Sequence, residues 1–304
     1  MHDSVTDLKT RFRVPAGDRH TFSERDKEAL ARIYLTERSY RGRIDETCAG
    51  SSERRQLIGE MYEQVYDHMR GSDSYREYAG LTAVRDRRND ARAVLRVSGG
   101  ERVLEIGCGQ GALVNSLARE GVSVHGIDVV QGCQWPRIES EHAGRATFSV
   151  CAVDSLAEGN YDVVVADNVL EHIPPIDYQA ALKRCYDLLA PGGWLVVLIP
   201  SPLTGPHDCS RWFLELGVPA QGGHFMERRS RDLVNDFGEC GLSNLKTTIA
   251  HRLSFGRFSL GWSRLWTWRA LMMESLCVTL PARFRSHPVF KLTIPRILAG
   301  QKAG

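Results

Sequence analysis

Long hydrophobic runs are what this 304-residue chain lacks first. No stretch approaches the roughly 18 uncharged apolar residues a membrane-spanning helix requires. The opening segment Met1-His2-Asp3-Ser4-Val5-Thr6-Asp7 has no apolar core, so no secretory signal is expected. Strong charge of either sign is missing too: 39 Lys and Arg stand against 37 Asp and Glu, which removes the global electrostatic case for a nucleic-acid partner. The eight cysteines are scattered singly at 48, 108, 133, 151, 185, 209, 240 and 277, with no C-x-x-C pair. Neither a disulfide frame nor a metal site follows from that spacing; reduced thiols and a cytoplasmic setting are the expectation. There is no internal repeat and no low-complexity tract. A hydrophobic share of 42% with 25% charged residues leaves a soluble globular protein with room for a sizeable core.

The most informative stretch is Glu105-Ile106-Gly107-Cys108-Gly109-Gln110-Gly111. Val103, Leu104 and Ile106 read as a buried strand leading into it, and an amphipathic pattern over Ala112 to Glu120 follows. A glycine-rich turn between strand and helix lets a ligand approach backbone amides where a Cβ would collide. The spacing is G-x-G-x-G, not the G-x-G-x-x-G of dinucleotide binders. The acid at 105 suits a ligand carrying a positive amine or sulfonium better than a pyrophosphate.

Around this turn, short apolar runs alternate with helical patterns. Strands are expected at Arg102 to Ile106, Val122 to Ile127, Thr147 to Ala152, Asp162 to Ala166 and Trp194 to Ile199. Helices are expected at Ala112 to Glu120, within 133 to 144, and at Tyr178 to Leu189, with Pro191-Gly192-Gly193 as a turn into the fifth strand. Such alternation argues a parallel sheet covered on both faces. Before it, residues 1–98 read as helical. Thr21-x-x-Glu24 has the form of a capping box, Leu57, Met61, Val65 and Met69 share one face, and Ala83 to Val97 stops at Gly99-Gly100. After it come a helix at Ser230 to Cys240, a strand at Leu245 to Ala250 and a last strand at Lys291 to Ala299.

At the glycine turn the chain resembles the class I S-adenosylmethionine-dependent methyltransferases, and residues 105–111 match that family's first motif position by position. The segment Tyr161 to Ile173, containing Asp167-Asn168-Val169-Leu170-Glu171-His172, is similar to its fourth-strand motif, in the form seen in quinone and sugar O-methyltransferases. Leu188 to Leu195 and Gly223-His224-Phe225 with the helix after it also resemble family segments. The resemblance implies a Rossmann-like α/β fold, a doubly wound, mostly parallel seven-stranded sheet. The resemblance covers a cofactor-binding core at 99–250 and the last strand and tail at 291–304; outside it stand a helical extension at 1–98, read as a substrate cover, and a basic aromatic helical insert at 251–290. It implies S-adenosyl-L-methionine as cofactor, held by Glu105, Gly107, Cys108, Gly109, Gly111, Asp128, Val129, Asp154, Ser155 and Asn168. Asp128 would take both ribose hydroxyls, Asp154 the adenine amino group, and Asn168 the methionine end.

If the acceptor is a hydroxyl, a general base is needed, and histidine is the usual one near neutral pH. His172 and His224 are the catalytic candidates, with His207 behind them; a packed or surface histidine is the plain alternative for each. The expected reaction is O-methylation of a sugar, a lipid-linked glycan or a small specialised metabolite. N- or C-methylation, or a catalytically silent member of the fold, are the alternatives. The segment 252–288 has six arginines against the single acid Glu274, with Phe258, Trp262, Leu265, Trp266, Met272, Met273 and Leu276 on one side of a helical wheel. That composition suits a lid on the core, a homodimer contact, or a peripheral contact with a membrane surface.

Overall fold

The protein is described by a computed structural model over residues 3–14, 21–215, 217–247, 250–253, 256–259, 264–285 and 297–304. Parallel strands β1 (Arg102–Ile106), β2 (Ser123–Asp128), β3 (Ala146–Val150), β4 (Tyr161–Asp167) and β5 (Leu189–Leu198) join β6 (Ser243–Thr247) and the antiparallel β9 (Ile297–Gln301) in one seven-stranded sheet. Its order is β3-β2-β1-β4-β5-β9-β6. The chain leaves β1 to one side for β2 and to the other for β4, so the order reverses between β1 and β4. That is where open α/β sheets form a crevice at the strand C-termini.

Period-two alternation explains how both faces are filled. Val103, Val163, Val165, Trp194 and Val196 lean to one face, against α5 (Arg88–Ser98), α6 (Ala112–Arg119) and α7 (Trp135–Glu141). Leu104, Ile106, Val164, Ala166, Leu195 and Val197 lean to the other, against α8 (Pro175–Asp187) and α9 (Ser230–Glu239). Fully buried side chains such as Leu104, Val164 and Phe237 each add about 1.5–3 kcal/mol of transfer free energy. The doubly wound expectation is met.

The helical extension comprises α1 (Val5–Arg11), α2 (Glu24–Asp45), α3 (Ser52–Arg70), the single turn α4 (Tyr75–Tyr78) and α5. The capping box before α2 uses Ser23 and Asp26, not Thr21 and Glu24. Asp26 is drawn inward because its carboxylate also accepts from Ser72 Oγ, Ser74 N and Ser74 Oγ, tying the start of α2 to the end of α3. Ile33, Tyr40 and Ile44 of α2 pack with Leu57, Met61 and Val65 of α3 and with Phe225. A second cluster joins Leu8, Leu30 and Tyr34 to Trp212 and Phe213. The extension is therefore docked on the segment that follows β5.

Several boundaries differ from the sequence expectation. α5 starts at Arg88, not Ala83, because the Arg87 N–H is taken by Ser116 Oγ. Pro191-Gly192-Gly193 lies inside β5, where pairing shifts from Tyr161↔Leu189 to Val163↔Trp194; it is a bulge within a strand, not a turn before one. The last strand begins at Ile297, and 291–296 lie outside the described residues. The insert opens with a two-stranded hairpin, β7 (Ala250–Leu253) and β8 (Gly256–Ser259), before α10 (Arg264–Val278) and the single turn α11 (Ala282–Arg285). Phe258 therefore belongs to a strand and not to the helical face expected for it, and Trp262 lies outside the described residues. Among the described residues no helix is long and apolar enough to cross a membrane.

Candidate functional site

The three glycines of the turn between β1 and α6 answer two different demands. A Cβ on Gly107 would stand 2.4 Å from Val169 Cγ2, and one on Gly111 would stand 2.8 Å from Ile138 and Phe148, so both must be small to let the core close. Gly109 differs: at φ +53° the only atom of the described residues within 4 Å of an added Cβ, its chain neighbours aside, is Tyr66 Oη, at 3.5 Å. It is the open glycine of the turn. Its N–H is held by Asp128 Oδ2 at 2.8 Å, while Asp128 Oδ1 accepts from Val130 N at 3.1 Å. Burial raises the Asp128 carboxyl above its ordinary range, opposed by the backbone N–H groups of Gly109, Val130 and Val129. Cys108 is buried, and its N–H bonds to Ile127 O, locking the turn to β2.

Glu105 is turned away from the crevice. Alternation along β1 puts it on the Val103 face, under α6, where its carboxylate accepts from Val114 N at 3.0 Å and is 3% exposed. Burial pushes its carboxyl up to about 8, opposed first by Arg87. Arg87 is itself clamped by Asp90 and Asp167. The charge at 105 thus buttresses the turn and the first turn of α6, a positioning task that its suitability for a cationic ligand did not announce. Beyond β3, Asp154 and Ser155 form a short 3-10 turn, and Asp154 is paired with Arg55 at 2.8 Å. Asn168, after β4, holds φ +56° with its amide donating to Asp167 Oδ1. The backbone there is in the left-handed region, which Asn tolerates better than most residues.

Helix α3 supplies what the sequence reading missed. Arg55 reaches Asp154, Gly59 approaches Val129 O, Tyr62 stacks edge-on against His172 at 5.8 Å between ring centroids, and Tyr66 Oη lies over Gly109. Positions 55, 59, 62 and 66 are one stripe at i, i+4, i+7 and i+11, so one helix face spans the crevice. The stripe's mixed polarity concealed it: only the apolar 57, 61, 65 face was readable as a pattern.

A second cluster lies beside the first. His172 Nδ1–H donates to Gly223 O at 3.0 Å, which leaves Nε2 with its lone pair. Burial pushes this imidazole down to about 3, with His224 adding to the effect. The His172 and His224 rings meet edge to face at 4.6 Å. His224 bonds through Nδ1 to Glu227 Oε1 at 2.9 Å, and its Nε2 is 4.0 Å from Glu171 Oε1. Burial lowers the His224 pKa but the Glu227 hydrogen bond and the Glu171 charge outweigh it, so it is raised. Glu171 is fully buried, pushed up to about 8 by that burial, and neither oxygen has a hydrogen-bond partner among the described residues. Tyr62 Oη is likewise buried without one. Phe225 N and Met226 N bond to Glu171 O, which seats the 223–226 segment on the turn after β4. His207 is elsewhere: its Nε2 meets Thr204 Oγ1 and Ser201 O, fastening its own loop.

The structure therefore brings the β1, β2 and β4 residues to one crevice and sets His172 and His224 next to it. Against known proteins, a model of the methyltransferase domain matches residues 75–247, more than half of the chain. The chain belongs to the class I S-adenosylmethionine-dependent methyltransferases. A ubiquinone biosynthesis O-methyltransferase of Escherichia coli is 38% identical over 101 residues, which are 31% of this chain and 40% of that protein. The chain thus spans about two fifths of the length of the curated relatives it matches. The 1,6-didemethyltoxoflavin N1-methyltransferase of Burkholderia thailandensis, solved with 1,6-didemethyltoxoflavin and S-adenosylhomocysteine, superimposes with a TM-score of 0.53 at 16% identity, covering 85% of this chain and 93% of that one. That likeness concerns the fold.

Proposed function

We propose that this protein methylates a hydroxyl group of a small acceptor, a sugar, a lipid-linked glycan or a specialised metabolite, with S-adenosylmethionine as donor. The observation that carries the reading is the adjacency of two unlike sites: a glycine turn with an open Gly109 beside Asp128, and the pair of a half-buried His172 and a buried His224.

The residues fit the donor. Gly109 is the one glycine of the turn whose missing side chain leaves free space, and the Asp128 carboxylate beside it is the acceptor for the ribose hydroxyls. Asp154 and Ser155 stand at the adenine end, Val129 lies between, and Asn168 serves the methionine end. When bound, S-adenosylmethionine supplies a methyl group on a positively charged sulfur. Everything else falls to the chain. Tyr62 and Tyr66 exclude water from above. His172 Nε2 takes the proton of the acceptor hydroxyl as the oxygen forms its bond to carbon, while the carbon–sulfur bond breaks and sulfur keeps the electron pair. Gly223 O fixes the tautomer that makes this transfer feasible. Alignment of two bound partners contributes up to roughly 7–11 kcal/mol to such reactions.

Calorimetry with S-adenosylmethionine tests the donor half. Tight binding by the native protein and a loss of about 100-fold or more in Asp128→Ala are expected, since two charge-assisted hydrogen bonds are removed. An unchanged affinity in the variant would take Asp128 out of the ribose role. A product methylated on nitrogen in an acceptor screen would favour the reading in which no base is required.

One further surface bears on the acceptor. On α10, Trp268, Met272 and Leu276 are 61%, 47% and 59% exposed at i, i+4 and i+8, while Ala270, Glu274 and Cys277 are buried. The insert's single acid is inside, capping α9 through Ser230 N and Arg231 N. An apolar stripe within an arginine-rich insert fits the surface of an anionic membrane and a lipid-linked acceptor. Flotation with anionic vesicles, native against Trp268→Ser with Met272→Ser, tests this: equal flotation sinks it, and a shift from dimer to monomer instead assigns the stripe to a second copy.

A further inference from the structure

Three ligand-type atoms converge on the acceptor side: a carboxylate oxygen of Glu171 and one ring nitrogen each from His172 and His224, all within 4.8 Å of one another. The other nitrogen of each ring is already committed. His172 Nδ1–H is fixed by a backbone carbonyl and His224 Nδ1–H by the Glu227 carboxylate, which leaves both Nε2 lone pairs available. A carbonyl or carboxylate behind each imidazole is how proteins orient metal-binding histidines and set their tautomer. Glu171 is the independent observation. It is 0% exposed and neither oxygen has a hydrogen-bond partner among the described residues, although an unpartnered buried carboxylate is among the costliest groups a core can hold. The 4.0 Å approach of His224 Nε2 is too long to be the missing hydrogen bond.

We propose that Glu171, His172 and His224 form a site for one divalent transition-metal ion of the zinc or cobalt class, with a remaining coordination position open to the acceptor oxygen. Two imidazoles and one carboxylate suit zinc, cobalt or iron better than magnesium or calcium, which prefer all-oxygen sets. Ligand atoms sharing such an ion stand about 3–3.5 Å apart, so the widest pair closes by roughly 1.5 Å. Glu171 is free to take part in that closure, since no hydrogen bond restrains its carboxylate among the described residues. The metal's binding stands on these three residues alone; its action on an acceptor rests on the methyl-transfer reading above. A hydroxyl on the ion loses its proton to water more readily than a free one, and the imidazoles then serve as ligands in place of a base.

Full-length protein stripped with a chelator and dialysed against Zn2+ or Co2+ provides the test. Elemental analysis should find one equivalent per chain, and Co2+ should give visible bands of low coordination number. Glu171→Gln and His224→Gln should each weaken uptake by about 100-fold, and Glu227→Gln, which alters the group behind His224 and keeps an acceptor for His207 N, by about tenfold. Affinity for S-adenosylmethionine, measured on the same samples, shows that each variant is folded, and Glu227→Gln decides the matter where a ligand variant is not. Native protein that binds S-adenosylmethionine but takes up no metal overturns the site and leaves methyl transfer standing. Uptake that survives both ligand substitutions also overturns it and assigns the metal to cysteines. Metal uptake without S-adenosylmethionine binding overturns the methyl-transfer reading and not the site.

Discussion

The two halves of the crevice are built in opposite ways. The donor half is local: Gly107, Gly109 and Gly111 lie within five residues, and Asp128 is the end of the next strand. Its geometry is backbone geometry, set by positive φ angles and by collisions that glycine alone avoids. The half proposed for the acceptor is assembled from afar, with Tyr62 from the extension, Glu171 and His172 from the turn after β4, and His224 from the segment after β5. Its properties come from burial: a carboxyl pushed up to about 8 and an imidazole pushed down to about 3 stand side by side. A site made by the backbone is fixed wherever the strand–turn–helix unit folds. A site made by burial exists only when distant segments close over it.

Separate substitutions should pull the halves apart. The largest effect is expected from His172→Ala, with kcat lower by about 10²–10⁴ and S-adenosylmethionine affinity within a few-fold of native; comparable losses in both measurements would merge the halves into one unit. Gly107→Ala should then cost stability, about 2–4 kcal/mol in a denaturant titration, because its Cβ meets Val169 in a left-handed backbone. Gly109→Ala, with only Tyr66 Oη nearby, should lower donor affinity more than stability. The reverse ranking would reassign the open glycine.

A pH series examines closure of the acceptor half. Glu37 of α2 is 6% exposed, and burial beside Asp208 pushes its carboxyl from 4.5 up to about 7. A raised carboxyl favours the folded state in its protonated form, so this contribution is full below about 4.5 and fades as pH climbs through 7. Between those values stability should fall by at most about 1.4 kcal/mol per pH unit, and Glu37→Gln should flatten the Tm profile. A profile of unchanged slope removes Glu37 from the balance. The smallest effect is expected from Arg55→Ala, which breaks an exposed pair with Asp154. Stability should change by less than about 1 kcal/mol, and a larger change would show that α3 is pinned at that end.

The same contrast explains what could be read from the residues alone. Strands β1, β2, β4 and β5 declare themselves because most of their residues are buried on both faces, so each is rich in Val, Ile and Leu. The glycine turn declares itself because sterics permit so few residues there. Glu105 was visible as a charge, but its direction depends on which face of β1 it occupies, and only the packing of α6 settles that. Glu171 went unremarked as a partner of His224 because fifty-three positions separate them. The stripe of Arg55, Gly59, Tyr62 and Tyr66 was hidden because its residues share a ligand-facing edge and no common chemistry. The insert was misread as wholly helical because Phe258 fits a helical wheel as well as it fits a hairpin.

The placement of β9 carries one more consequence. Thr247, at the end of β6, bonds through its hydroxyl to Ile297 O at the start of β9, fifty residues on. The excursion from 248 to 296 therefore departs from and returns to a single rung of the sheet. Loop-closure entropy grows only by about 0.6 kcal/mol for each doubling of length, so the length of the detour weighs little on the framework; what ties it down is α10, through the Glu274 carboxylate that caps α9.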